Sequence, residues 1–250
     1  MDKQKYIGFV GDSYCSVYNE ELCPEKIGQR GEYPGVTYTS LVARHFDYQM
    51  APYGFGGRSW WWSWYNFSRR YRINQFEAVI FCHTNCDRIN SSTHEELPHM
   101  CNSNWPNLNK DMNLASEYYF KYIIDSRFDS WAHQQYFKML KEKCSDIKTI
   151  HFHSFPDSIK YSNLLPGMVY NTPLIYISVG EIDGTAEQIQ NSYSDNRANH
   201  LNEYNNRVLA DVIINALDNY TPGHYKLPLE KFDQLNPNAK NWPNGIFWTK

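Results

Sequence analysis

Short apolar runs alternate with amphipathic stretches along the chain. Residues 5–10 (KYIGFV) end at Gly11, and residues 48–51, 76–82 (FEAVIFC), 147–152 and 174–179 (LIYISV) repeat the pattern between turn-forming positions. Runs of this length and bounding suit strands buried on both faces. The intervening segments have helical spacing. Residues 38–46 follow Pro34-Gly35, and residues 111–143 are long enough for two helices. The last helix is the clearest: Leu201, Tyr204, Val208, Leu209, Val212, Ile213, Ala216 and Leu217 keep one apolar stripe for about five turns. Strands alternating with helices predict an α/β fold, a three-layer α/β/α sandwich on a mainly parallel sheet of about five strands.

Two segments interrupt this rhythm. Residues 90–110 are polar and Asn-rich and read as a long loop, an insertion spanning about 89–110. After Tyr220 the chain carries Pro222, Pro228, Pro237 and Pro243 among aromatic residues. The organisation expected is one domain over residues 1–220 and an extension, 221–250, packing on it. The 250 residues include 8 Trp, 20 Tyr and 13 Phe, and the 42% apolar and 20% charged shares exclude a disordered chain. A net charge of −3 without a Lys/Arg block argues against nucleic-acid or membrane-surface partners. No segment has 18 consecutive apolar residues, and the N-terminus lacks the apolar stretch of a secretory signal, so a soluble, by default cytoplasmic, protein is expected, with a viral setting also open. Six cysteines in this length are read as reduced thiols. Composition leaves the oligomeric state open.

In an open parallel sheet ligands bind beyond the carboxyl ends of the strands. Four groups fall there. Gly11-Asp12-Ser13 follows the first run, and a Ser at a strand-to-helix turn presents its hydroxyl as a nucleophile, or else caps the helix. The glycines of Tyr53-Gly54-Phe55-Gly56-Gly57-Arg58 leave backbone N–H groups uncovered, although their spacing fits neither a dinucleotide fingerprint nor a phosphate loop. Asn85, after the run 76–82, is placed to aim its amide at the same centre. His200, before the last helix, is a candidate general base, with Asp195 as the nearby carboxylate to fix its tautomer. Cys82, His83 and Cys86 are a rival zinc set, disfavoured because strand alternation sends Cys82 and His83 to opposite faces.

In their order along the chain these residues resemble the SGNH (GDSL-like) hydrolase superfamily, whose blocks carry Ser, Gly, Asn and His in turn. Ser13 matches the first block, Gly54 the second, Asn85 the third and His200, followed by Leu201-Asn202, the fourth. The likeness spans residues 6–219. It departs at His83 and Cys86, where the family has Gly and Asp, and at Arg197, where it has the acid three residues before the His; Asp195 is five residues before. The resemblance implies a flavodoxin-like sheet and acyl-ester hydrolysis without metal or organic cofactor. Ser13 would be the nucleophile, His200 the base and Asp195 its orienter. The Ser13 and Gly54 N–H groups and the Asn85 amide would form the oxyanion hole. Arg58, Trp60, Trp61, Arg88 and Arg197 are candidate contacts for a small-molecule or glycan ester. The run 59–65 (SWWWSWY) suits either sugar stacking or core packing on an amphipathic helix. A glycan-binding module with a decayed triad and a structural or assembly protein are the alternatives.

Overall fold

The computed structural model describes residues 5–16, 37–54, 59–70, 73–86, 110–178 and 201–233. Strand β1 (Tyr6–Ser16) is followed by helix α1 (Tyr38–His45), strand β2 (Gln49–Gly54), helix α2 (Trp60–Arg70) and strand β3 (Phe76–His83). Helix α3 (Lys110–Tyr118) continues through a π-helical turn at Tyr119–Ile123 into helix α4 (Ser126–Lys143) and strand β4 (Lys148–His153). Strand β5 (Met168–Tyr170), helix α5 (Glu203–Asp218) and strand β6 (Gly223–Tyr225) complete the order.

The strands form one sheet in the order β2-β1-β3-β4-β5-β6, every neighbouring pair parallel. Alternation along each strand sorts the core into two layers. Ile7, Phe9, Ala78, Ile80, Ile150 and Phe152 face one way, under α1 and α5. Val10, Val79, Phe81 and Val169 face the other, under α2 and α4. The fold is therefore the three-layer α/β/α sandwich expected, with six strands among the described residues where about five were expected.

The helix ends follow local chemistry. The Thr37 side chain accepts from Ser40 N at α1, Asp125 from Arg127 N at α4, and Asn202 from Asn205 N at α5. Each satisfies an N–H that the first turn leaves without a partner. Arg44 and His45 close α1, and Lys141 and Lys143 close α4, where cations complement the helix dipole.

Two expectations about the sheet are corrected. The run 174–179 does not form a strand: Leu174–Ile177 is a 3-10 helix entered from Pro173, with Leu174, Ile175 and Ile177 buried. The fifth strand is instead Met168–Tyr170, too short to stand out by periodicity. The sixth strand lies in the segment read as a tail. Beyond it Leu227 and Phe232 are buried in the layer beneath α5, so the extension packs on the domain as far as residue 233.

Candidate active site

The strand order reverses at β1, which has β2 on one side and β3 on the other. Such a switch point opens a crevice at the carboxyl ends of the two diverging strands. Gly11 pairs with Gly54 of β2 and Cys82 of β3. Ser16 pairs with Gly54 as well, so residues 12–15 leave the ladder as an excursion at the mouth of the crevice. A strand-to-helix turn was expected at Ser13; within the described residues the strand instead bulges there and resumes at Ser16. Within this excursion Ser13 is partly exposed while Asp12, Tyr14 and Cys15 are buried.

The glycines are required by crowding. A Cβ on Gly54 would lie 2.3 Å from the Cys15 carbonyl oxygen, and one on Gly11 would lie 2.2 Å from that of Cys82. Gly11 also has φ +152°, a conformation that disfavours side chains. The two glycines thus let the three strands close up beside Ser13.

Asn85 follows β3 by two residues and is 8% exposed. Its Oδ1 and the Thr84 Oγ1 are buried with no hydrogen-bond partner. An unsatisfied buried polar atom costs about 1–3 kcal/mol, and such atoms concentrate where a ligand supplies the missing bond.

Sequence reasoning missed the strut beneath this edge. Asp12 is fully buried, and its Oδ1 accepts from Tyr14 N at 3.1 Å and from Ser154 Oγ at 3.0 Å. Ser154 N donates to the His83 carbonyl at 2.8 Å. One serine thus ties the excursion carrying Ser13 to the end of β3 that carries Asn85. Its signal in the sequence is only a Ser after an apolar run, which nothing distinguishes from a cap.

Cys82 and His83 do point to opposite faces. The Tyr38 hydroxyl lies 3.4 Å from Cys15 Sγ and 3.3 Å from Cys82 Sγ on the α1 side, while the His83 ring packs 4.7 Å from Phe137 on the α4 side. Burial, with Cys15 beside it, pushes the Cys82 thiol well above the usual thiol range. Tyr38 is raised likewise, first by burial and then by the two thiols. Among the described residues no group of three or more His, Cys, Asp or Glu side chains is arranged to hold a metal ion.

Arg58, Arg88, Asp195, Arg197 and His200 lie outside the described residues. The chain just after His200 is fixed, however. Leu201 is buried in the same cluster as Tyr14 and Cys15. Asn206 Oδ1 accepts from Tyr38 N at 3.0 Å and its Nδ2 donates to the Leu201 carbonyl at 3.0 Å, joining the start of α5 to the start of α1.

The tryptophan run is an amphipathic helix whose two sides differ. Trp60 stacks on Tyr136 of α4, centroids 5.0 Å apart, and packs against the second core layer. Trp61 and Tyr65 are 43% and 47% exposed, with centroids 6.3 Å apart. Trp60 is thus a packing residue, and Trp61 faces solvent near the helix start. A hollow of about 250 Å³ lined by Tyr48, Glu77, Lys148 and Asp218 opens at the opposite, amino edge of the sheet.

A second group went unnoticed in the sequence. His83, His133, His151 and His153 are all buried on the α4 side of the sheet. The His-x-His spacing of β4 puts two rings on one face, and Phe81↔His151 and His83↔His153 are register partners. That spacing was the available clue; the contribution of α4 was not.

Comparison with protein families, curated proteins and solved structures finds no match to the chain. Among the described residues no helix is long and apolar enough to cross a membrane.

Proposed function

We propose that the chain is a serine hydrolase of the SGNH type, cleaving acyl esters. The observation that carries this reading is the convergence of Ser13, Gly54 and Asn85 at one carboxyl edge, at the sheet's switch point. In this reading the partly exposed Ser13 hydroxyl attacks the ester carbonyl. His200 takes its proton and returns it to the leaving alcohol, and water then releases the acyl group. The N–H groups of Ser13 and Gly54 and the Asn85 amide hold the oxyanion. The Asp12–Ser154 bond keeps nucleophile and amide in register from below. Asp195 is the proposed orienter of His200.

An acetylated glycan is the proposed substrate class, supported by the exposed Trp61–Tyr65 pair at the head of α2, which offers flat apolar faces to a sugar ring. A fluorophosphonate probe tests the reaction class. Labelling of the wild type, lost in Ser13→Ala together with hydrolysis of a short nitrophenyl ester, is expected. Labelling that survives the substitution would refute the assignment.

A further inference from the structure

The four buried histidines serve no step of the proposed hydrolysis, and their chemistry is constrained by their own contacts. His83 Nε2 and His151 Nδ1 are 3.0 Å apart, their ring planes within 9°. One ring donates there and the other accepts. The remaining nitrogens, His83 Nδ1 and His151 Nε2, have no hydrogen-bond partner, so one buried N–H already lacks an acceptor.

The tautomer of His153 is fixed by its neighbour. Ser158 Oγ donates to the Phe155 carbonyl at 2.8 Å, which uses its only proton. His153 Nδ1, 3.0 Å from that oxygen, must therefore be the donor, leaving Nε2 bare. His153 Nε2 and the His133 Nε2 on α4 are likewise without partners. A second proton on any of these rings would create an N–H facing only other rings.

The walls are apolar. Phe137 lies 4.4 Å from His133 and 4.7 Å from His83, Phe81 stacks 4.9 Å from His151, and Trp60 closes the α2 side. The titratable neighbours are Tyr136 on α4, the four histidines themselves, and His224 of β6, which opposes a charge on His153. On β1, Asp12 is engaged by Ser154. Among the described residues, none of the influences on the four rings comes from a carboxylate.

We propose that His83, His133, His151 and His153 form an acid-operated latch, which fastens α4 to the carboxyl ends of β3 and β4 while neutral and releases it on taking up protons. His83 and His153 are the last residues of their strands, next to Thr84, Asn85 and Ser154, so release reaches the candidate active site directly.

The sign follows from burial, the largest influence on all four. It holds His133 at about 4 and His153 at about 3, with His83 and His151 well below the usual histidine range. An unfolded chain binds these protons near pH 6.5. Stability is therefore complete above about pH 6.5 and is lost as pH falls below it, because the unfolded state then holds protons that the folded state refuses.

Two measurements on the full chain test the latch. In urea titrations the unfolding constant should rise by about 10³- to 10⁴-fold between pH 6 and 5, since each of the four excluded protons contributes nearly tenfold. His133→Phe/His151→Phe should flatten that rise. Should this variant not fold, histidine NMR of the wild type decides. Four of the nine histidines should stay neutral while Phe137 keeps its nuclear Overhauser contacts to His83 and His133, and should take up protons as those contacts vanish. A stability independent of pH over this range, or four rings that titrate near pH 6.5 with the contacts intact, would overturn the proposal. The readout is proton uptake, so an inactive Ser13 leaves it untouched.

Discussion

The two faces of the sheet use the same strands to opposite ends. Toward α1 and α5, Ile7, Phe9, Ile80, Ile150 and Phe152 meet Val42, Leu209 and Ile213, and the layer is held mainly by apolar burial. Toward α2 and α4, alternate residues of β3 and β4 are Phe81, His83, His151 and His153, set among Trp60, Tyr136 and Phe137. Both faces exclude water, but among the described residues only the second buries side chains that would titrate near neutrality if they were in water. One-residue alternation thus gives a single sheet a face indifferent to mild acid and a face sensitive to it.

The largest expected effect comes from removing the fully buried ring packed among the histidines. Phe137→Ala should cost about 3–5 kcal/mol in chemical denaturation, and Ile150→Ala on the other face about 2–5 kcal/mol. The pH dependence separates them. Water admitted by Phe137→Ala can solvate the imidazoles and should flatten the acid loss of stability, whereas Ile150→Ala should leave its slope unchanged.

Next in size is Asn85→Ala, at the edge where the two faces meet. In the proposed hydrolysis Asn85 is an oxyanion donor, whose loss is worth about 3 kcal/mol, so kcat on a nitrophenyl ester should fall about 10²- to 10³-fold with little change in thermal unfolding. A large loss of stability with unchanged kcat would make Asn85 a structural residue. Smaller again is Asn206→Ala on the aliphatic face, which leaves the buried Tyr38 N–H without its acceptor. A cost of about 1–3 kcal/mol is expected in urea, with the pH slope retained.

Much of this architecture is readable from the chain. The runs 5–10, 48–51, 76–82 and 147–152 and the stripe from Leu201 to Leu217 place four strands, β1 to β4, and the last helix correctly. Reading fails where the determinants are short or distant. Met168–Tyr170 has three residues, and only its parallel pairing with β4 and β6 makes it a strand. The run 174–179 is just as apolar, yet Leu174–Ile177 coils into a 3-10 helix whose buried side chains fill the core without a ladder. At the site, Ser13, Gly54 and Asn85 were legible because sequence position relative to a strand end sets spatial position in a parallel sheet. The Asp12–Ser154 bond joins residues 142 positions apart, so no local pattern announces it, and of the histidines only the His-x-His pair of β4 is visible locally, because the others come from β3 and α4.

The two ends of the sheet carry a consequence for the behaviour of the chain at high concentration. A strand at the border of a sheet exposes unpaired N–H and C=O groups and can recruit another chain. Here β2, on one border, includes Pro52, which has no N–H to offer, and β6, on the other, is three residues long. Among the described residues, neither border therefore presents a long uninterrupted ladder of donors and acceptors, which disfavours growth of the sheet by strand addition, the usual first step toward fibrous aggregates.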